Sequence, residues 1–212
     1  MSLDDITLAH VMSLDDMTRI TGVARWEPGA GGRLAEAAMQ LYVERGYDET
    51  TVADIAQRAG VTARTFFRHF ADKREVLFAG SEPLRDALVR AVAGAPAAAA
   101  PLTAVAAALD ASTAFLGRDH AHSRRRQSII DAHPELQERE LIKMARLGAA
   151  VAGGLRDRGV TDPEATLAAE AGMVVLRVAF ERWVADIEPG DLRALMRETM
   201  AALRATAGTA AA

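Results

Sequence analysis

Apolar residues recur every three to four positions along almost the whole chain, broken by short Gly- and Pro-rich stretches, the pattern of successive amphipathic helices. Leu34, Ala38 and Leu41 share one face of a first helix from about Gly32 to Arg45, and Gly46 is placed to end it. Thr51, with Asp54 at the third following position, gives a capping start to a second helix whose Val52, Ile55 and Ala56 point inward. Gly60 supplies a permissive turn, Val61 plugs the core, and Thr62 caps a third helix in which Phe66 and Phe70 lie on the buried side. Ala63, Arg64, Phe67 and Arg68 are then exposed. Asp72 to Glu75 repeats the capping pattern and opens a fourth helix, with a kink or restart predicted at Gly80, Ser81 and Pro83.

Beyond this point the periodicity predicts helices at about 102–117, 121–132, 134–158, 162–187 and 190–206. Pro134, Pro163 and Pro189 suit first-turn positions, and Asp162 suits a cap. Ala is abundant and β-branched runs are few, so the chain reads as all-α, with about nine helices. The uncharged run from Ala91 to Leu109 is mostly Ala and is broken by Pro96 and Pro101, which predicts a connection between helices and no membrane span.

Charge changes this picture locally. The formal net charge is −4, yet residues 58–74 hold Arg58, Arg64, Arg68, Lys73 and Arg74 against Asp72 alone, with His69 beside them. Two short helices hinged at Ala59-Gly60-Val61, the second rich in cations, make a helix-turn-helix reading head for double-stranded DNA. The second helix of such a pair enters the major groove by its N-terminal part. Thr62, Ala63, Arg64 and Arg68 therefore face base edges, and Arg64 can donate twice to a guanine. Thr51, His69 and Lys73 are placed for phosphates. Plain capping or a solvated charge remains open for Thr51 and Lys73, and a plain exposed arginine for Arg64.

A single head reads few base pairs, so a homodimer with heads about 34–36 Å apart on a pseudo-palindrome is expected. Leu167, Val174, Val178, Leu195, Met196 and Met200 recur at helical spacing and fit either that interface or the protomer's own core. Phe115, Ile129, Met144, Leu147, Met173, Phe180 and Trp183 are candidates to line an apolar pocket. Gly148, Gly153, Gly154 and Gly172 would leave room there, and Arg125 in the basic run after His120 would form a cationic rim. A solvated basic turn is the alternative. His120 and His122 lack a carboxylate or Cys to complete a metal site.

Cys is absent, which excludes disulfides and thiol chemistry and fits a reducing compartment. The segment MSLDDITLAH opens acidic, unlike a signal peptide, so a cytoplasmic protein is expected. No nucleophile elbow, phosphate-cradling loop or ordered His/carboxylate set is present, so no enzyme activity and no cofactor are expected.

The segment GRLAEAAMQLYVERGYDETTVADIAQRAGVTARTFFRHFADKREVLF, residues 32–78, resembles the TetR family of bacterial transcriptional regulators. The resemblance rests on Gly46-Tyr47, Thr51-Val52 with Ile55-Ala56, Ala59-Gly60-Val61, Thr65 to Phe70, and Lys73. Phe67 departs from it: the family carries Tyr there, whose hydroxyl reaches a phosphate, and Phe67 is left to meet a thymine methyl or sugar. The segments RRRQSIIDAHPELQERELIKMARLGAAVAGGLRDRGV and LRVAFERWV resemble regulators of the mycofactocin-system type, which implies an acyl-CoA-like ligand.

The resemblance implies a ligand-responsive repressor that binds its operator as a homodimer and binds a small apolar or amphipathic molecule. An activator, or a helical protein-interaction module without enzyme activity, is the alternative. The implied organisation is a flexible extension over 1–29, a helix-turn-helix domain over 30–78, a ligand-binding and dimerisation domain over 79–207, and a tail over 208–212. The repeated MSLDD at 1–5 and 12–16 leaves Met1 and Met12 both open as translation starts.

Overall fold

The computed structural model describes residues 29–188 and 190–208. The expected extension, apart from Gly29, the choice between Met1 and Met12, the placement of Pro189, and the tail, apart from Gly208, lie outside the described residues. Among the described residues the chain is helical throughout: α1 (Ala30–Arg45), α2 (Val52–Arg58), α3 (Ala63–His69), a 3-10 segment (Glu75–Phe78), α4 (Ser81–Ala93), α5 (Pro101–Leu116), α6 (His120–Asp131), α7 (Pro134–Asp157), α8 (Asp162–Ala185) and α9 (Leu192–Gly208).

Local chemistry sets most of these boundaries. Thr51 and Asp54 form a reciprocal capping box at α2, and the Thr62 hydroxyl accepts the Thr65 N–H at α3. Asp119 caps α6 through the His122 N–H, and proline occupies the first turn of α5, α7 and α8. Between α2 and α3, Gly60 has φ +67°, the left-handed region that an L side chain resists.

Two boundaries differ from expectation. The Asp72 carboxylate accepts the N–H groups of Arg74 and Glu75, but the segment that follows is a 3-10 turn. The regular helix resumes only at Ser81, the restart marked by Gly80. Asp162 lies inside the first turn of α8, where it pairs with Arg156, and Thr161 takes the cap position.

The helices close around two apolar clusters. The head cluster joins Leu34, Ala38 and Leu41 of α1 to Ile55, Phe66, Val76 and Phe78, and it also takes in Ile130 of α6 and Leu136 of α7. The second cluster lies among α4, α5, α7, α8 and α9, with Leu88, Val92, Val105, Leu109, Leu155, Leu176, Trp183 and Met196 at its centre. No helix among the described residues is long and apolar enough to cross a membrane.

The glycines of α7 and α8 do not open a cavity as their composition suggests. A Cβ on Gly172 would lie 2.3 Å from Cγ1 of Val105, and one on Gly154 would meet Val92 at 3.4 Å. Neighbouring helices already fill this room. Gly153, by contrast, has nothing within 4 Å. Gly172→Ala should therefore destabilise the protein by about 1–3 kcal/mol through overpacking. Gly153→Ala should stabilise it by up to about 1 kcal/mol through helix propensity. Urea unfolding checks both, and equal shifts for the two would contradict the close α5–α8 contact.

Candidate nucleic-acid interface

The head is built so that one face of α3 stays open. Phe66 is completely buried, and its ring lies 5.4 Å from Phe67 and 5.7 Å from Phe70, centroid to centroid. With Phe66 fixed inward, helical geometry turns Ala63, Arg64, Phe67 and Arg68 outward, and Phe67 is 57% exposed. Thr62 is exposed beside them at the helix start. His69 is exposed at the other end, with its ring against Gly31 of α1.

The cations separate into two groups. The Arg58 guanidinium donates to both oxygens of Glu44, at 2.9 and 2.7 Å, and Arg74 donates twice to Asp72. The side chains of Arg64 and Arg68 make no hydrogen bond or ion pair to any described residue. The basic character counted along residues 58–74 is thus concentrated on α3.

Lys73 is held within the head itself. Its ammonium donates to the carbonyl oxygens of Tyr47, Asp48 and Thr50, at 2.9, 3.2 and 3.2 Å. These three carbonyls match the three N–H groups of the ammonium. Lys73 pins the turn before α2, and it lies 4.3 Å from the centroid of the Tyr47 ring. Tyr42 of α1 holds Lys73 itself by donating to its backbone carbonyl at 2.8 Å. The Thr51 hydroxyl is held within its capping box.

Sequence reasoning missed the residues that dock the head on the rest of the protein. Lys143 of α7 donates to Oε2 of Glu75 at 2.8 Å, and Arg139, one turn earlier, donates to Oε1. Arg126 of α6 donates from Nε to the Leu77 carbonyl at 2.7 Å and from its terminal nitrogen to Glu140 at 3.2 Å. The His133 ring packs 4.7 Å from that of Tyr47. Arg126 carried a signal, since it precedes the buried Ile130 by one helical turn. Glu75 carried none, because its partners lie far along the chain.

Burial raises the Glu75 carboxyl, but hydrogen bonds and charge from Lys143 and Arg139 outweigh it and leave the pKa below the ordinary 4.5. A carboxylate lowered by folding adds stability above its ordinary value and loses it as pH falls through the folded value. The melting difference between wild type and Glu75→Gln should thus be full at pH 7 and should close below pH 4.5. Thermal melts at both pH values read this, and a gap that persists in acid would refute the ionic account.

The eight residues expected around a ligand do not surround one space. Leu147, Met173 and Trp183 are buried in the second cluster, with Met144 and Phe180 packed against it. Ile129 packs on the head cluster, whereas Phe115 and Arg125 are exposed. A cleft of about 590 Å³ does open where the ends of α5 and α8 meet the starts of α6 and α9, and Trp183 alone of the eight lines it. The expected interface residues divide as well. Leu167 and Val174 are exposed, Val178 and Leu195 are half-buried, and Met196 and Met200 are buried against the protomer's own core.

A helix-turn-helix with a cationic, open second helix, set on a helical body, defines a DNA-binding transcriptional regulator. Residues 34–79 match the family described as bacterial regulatory proteins, tetR family, and residues 99–208, just over half of the chain, match the MftR C-terminal domain. The chain belongs to the TetR family and carries an MftR-type C-terminal domain. Proteins of this family are transcriptional regulators and not enzymes.

The chain is 40% identical over 86 residues to TcmR, an HTH-type transcriptional regulator of Streptomyces glaucescens; the match covers 41% of this chain and 37% of TcmR. It is 26% identical over 156 residues to the Mycobacterium tuberculosis protein named "Putative mycofactocin biosynthesis transcriptional regulator MftR", covering 72% of this chain and 79% of that protein. Its fold is similar to that of Thermus thermophilus FadR, a TetR-family repressor solved with lauroyl-CoA, at a TM-score of 0.51 and 23% identity, covering 82% of this chain and 93% of FadR.

Proposed function

We infer that this protein is a homodimeric, ligand-responsive repressor that binds a pseudo-palindromic operator, with residues 30–78 as its DNA-binding domain and residues 79–207 for ligand binding and dimerisation. The observation that carries the reading is the exposed face of α3, where Arg64 and Arg68 have no partner among the described residues. Arg64 reads a base edge in the major groove, helped by Thr62, Ala63, Arg68 and the apolar face of Phe67. His69 and the start of α2 at Thr51 position the phosphates, and Lys73 contributes by holding that start in place.

Dimerisation is supported by Leu167, Ala171, Val174 and Val178, which form one apolar stripe along α8; Leu167 is 70% exposed and Val174 is 44% exposed. Packing two copies through this stripe and the outer side of α9 makes a four-helix contact. The ligand is an amphipathic molecule of the acyl-CoA type, as in the FadR complex. It enters by displacing flexible Met144 and Met173 between α7 and α8, next to Phe180.

Selection of bound fragments from a random DNA library tests the reading. It should return paired, inverted half-sites whose affinity falls steeply with salt, because phosphate contacts release counterions. Titration of the bound complex with long-chain acyl-CoAs should then lower affinity about 5- to 150-fold. No sequence enrichment sinks the regulator reading, and no response to a broad acyl-CoA set sinks the ligand class alone.

A further inference from the structure

The reading head joins the rest of the chain covalently through Ala79 and Gly80, both exposed. One covalent link leaves a rigid body free to rotate. The apolar contact of Ile130 and Leu136 with the head cluster holds the two parts together, but apolar burial is non-directional and does not fix an angle. The polar contacts around it are directional. Glu75 is gripped by Arg139 and Lys143 on consecutive turns of α7, one cation to each carboxylate oxygen. Arg126 reaches from α6 to the Leu77 carbonyl and lies over the Phe78 ring at 5.1 Å. Glu75 is 20% exposed at its side chain and Lys143 17%, so water screens this pair less than it would a surface ion pair. The contacts to Glu75, Leu77 and Phe78 lie on the 3-10 segment between α3 and α4, where a change in angle swings the whole head; Arg139 also lies 3.6 Å from Asp72 just before it, and His133 lies 3.6 Å from Asp48.

We propose that Glu75, with Arg139, Lys143 and Arg126, forms a clasp that sets the angle of the reading head and thereby determines the half-site spacing that the regulator accepts. The clasp touches no DNA, so these are positioning residues. It rests on the homodimer reading above, since spacing has meaning only for two linked heads. Each inserted base pair moves the second half-site and turns it by about one tenth of a helical turn. A head held at a fixed angle follows such a change poorly, and a loosened head follows it better.

The full-length wild type, Glu75→Gln and Lys143→Arg are each used to select from a random DNA library, and affinities are then measured for the enriched half-site at the selected spacing and at one base pair more. Lys143→Arg keeps the cation and should retain the wild-type preference. Glu75→Gln should enrich the same half-site sequence but at several spacings, with its preference for the selected spacing reduced about tenfold, within the roughly 5- to 150-fold range of couplings between sites. Lys143→Met gives a second loosened variant, and thermal melts verify that each protein is folded. A general loss of stability would weaken binding at every spacing alike and leave the preference unchanged, which overturns the proposal. Equally sharp spacing in wild type and Glu75→Gln overturns it too, while the dimer reading stands. Single, unpaired half-sites from wild type overturn the dimer reading and this proposal with it.

Discussion

Replacing Phe66 with Ala is expected to abolish operator binding and to remove about 3–5 kcal/mol from the stability of the reading head. Phe66 has no exposed surface and lies in the cluster that joins α1, α2 and α3. A domain of this size has little stability to spare, so such a loss approaches its whole margin. The second cluster, among α4, α5, α7, α8 and α9, shares no residue with the first. Heating should consequently give an early transition for the head while much of the helical signal persists to higher temperature. Circular dichroism with hydrogen exchange resolves the two, and a Phe66→Ala protein that melts as one unit at the wild-type temperature would falsify the two-core account.

Arg64→Ala is expected to relax base preference at one position in each half-site by about 1–3 kcal/mol, or roughly 5- to 150-fold. The reason is geometric. Arg64 stands in the first turn of α3, exposed and without a partner among the described residues, so its two-pronged donor is available to a base edge. Lys73→Ala makes the contrast, because its ammonium is spent on three carbonyls of the turn before α2. That substitution should loosen the turn and weaken all sequences alike. Competition assays across an operator library separate the two patterns, and uniform weakening by Arg64→Ala would move Arg64 from reader to phosphate contact.

Much of the fold was legible along the chain. The starts of α2, α3 and α7 follow from Thr51, Thr62 and Pro134, whose effects act within three or four residues. The start expected at Asp72 gives only a 3-10 turn, because Asp72 accepts N–H groups equally well there, and the helix begins at the restart expected from Gly80 and Ser81. The ligand site was the least legible. Periodicity marked Met144, Met173 and Trp183 as inward-facing but could not say whether a neighbour or a ligand fills the space. Gly172, read as room, is a close approach to Val105.

The sequence by itself determined that the chain is helical and that residues 51–70 form a DNA-reading head, because caps, turn glycines and a 3.6-residue period are local properties. Only the tertiary structure decided which cations of that head are open. Glu44 neutralises Arg58 from α1, and the Tyr47–Thr50 turn holds Lys73, which leaves Arg64 and Arg68 exposed on the outer face of α3. It also decided that Met196 and Met200 belong to the protomer while Leu167 and Val174 face outward. These outcomes depend on pairs of residues brought together from distant parts of the chain, and a pattern read along one helix records a buried face without recording what buries it.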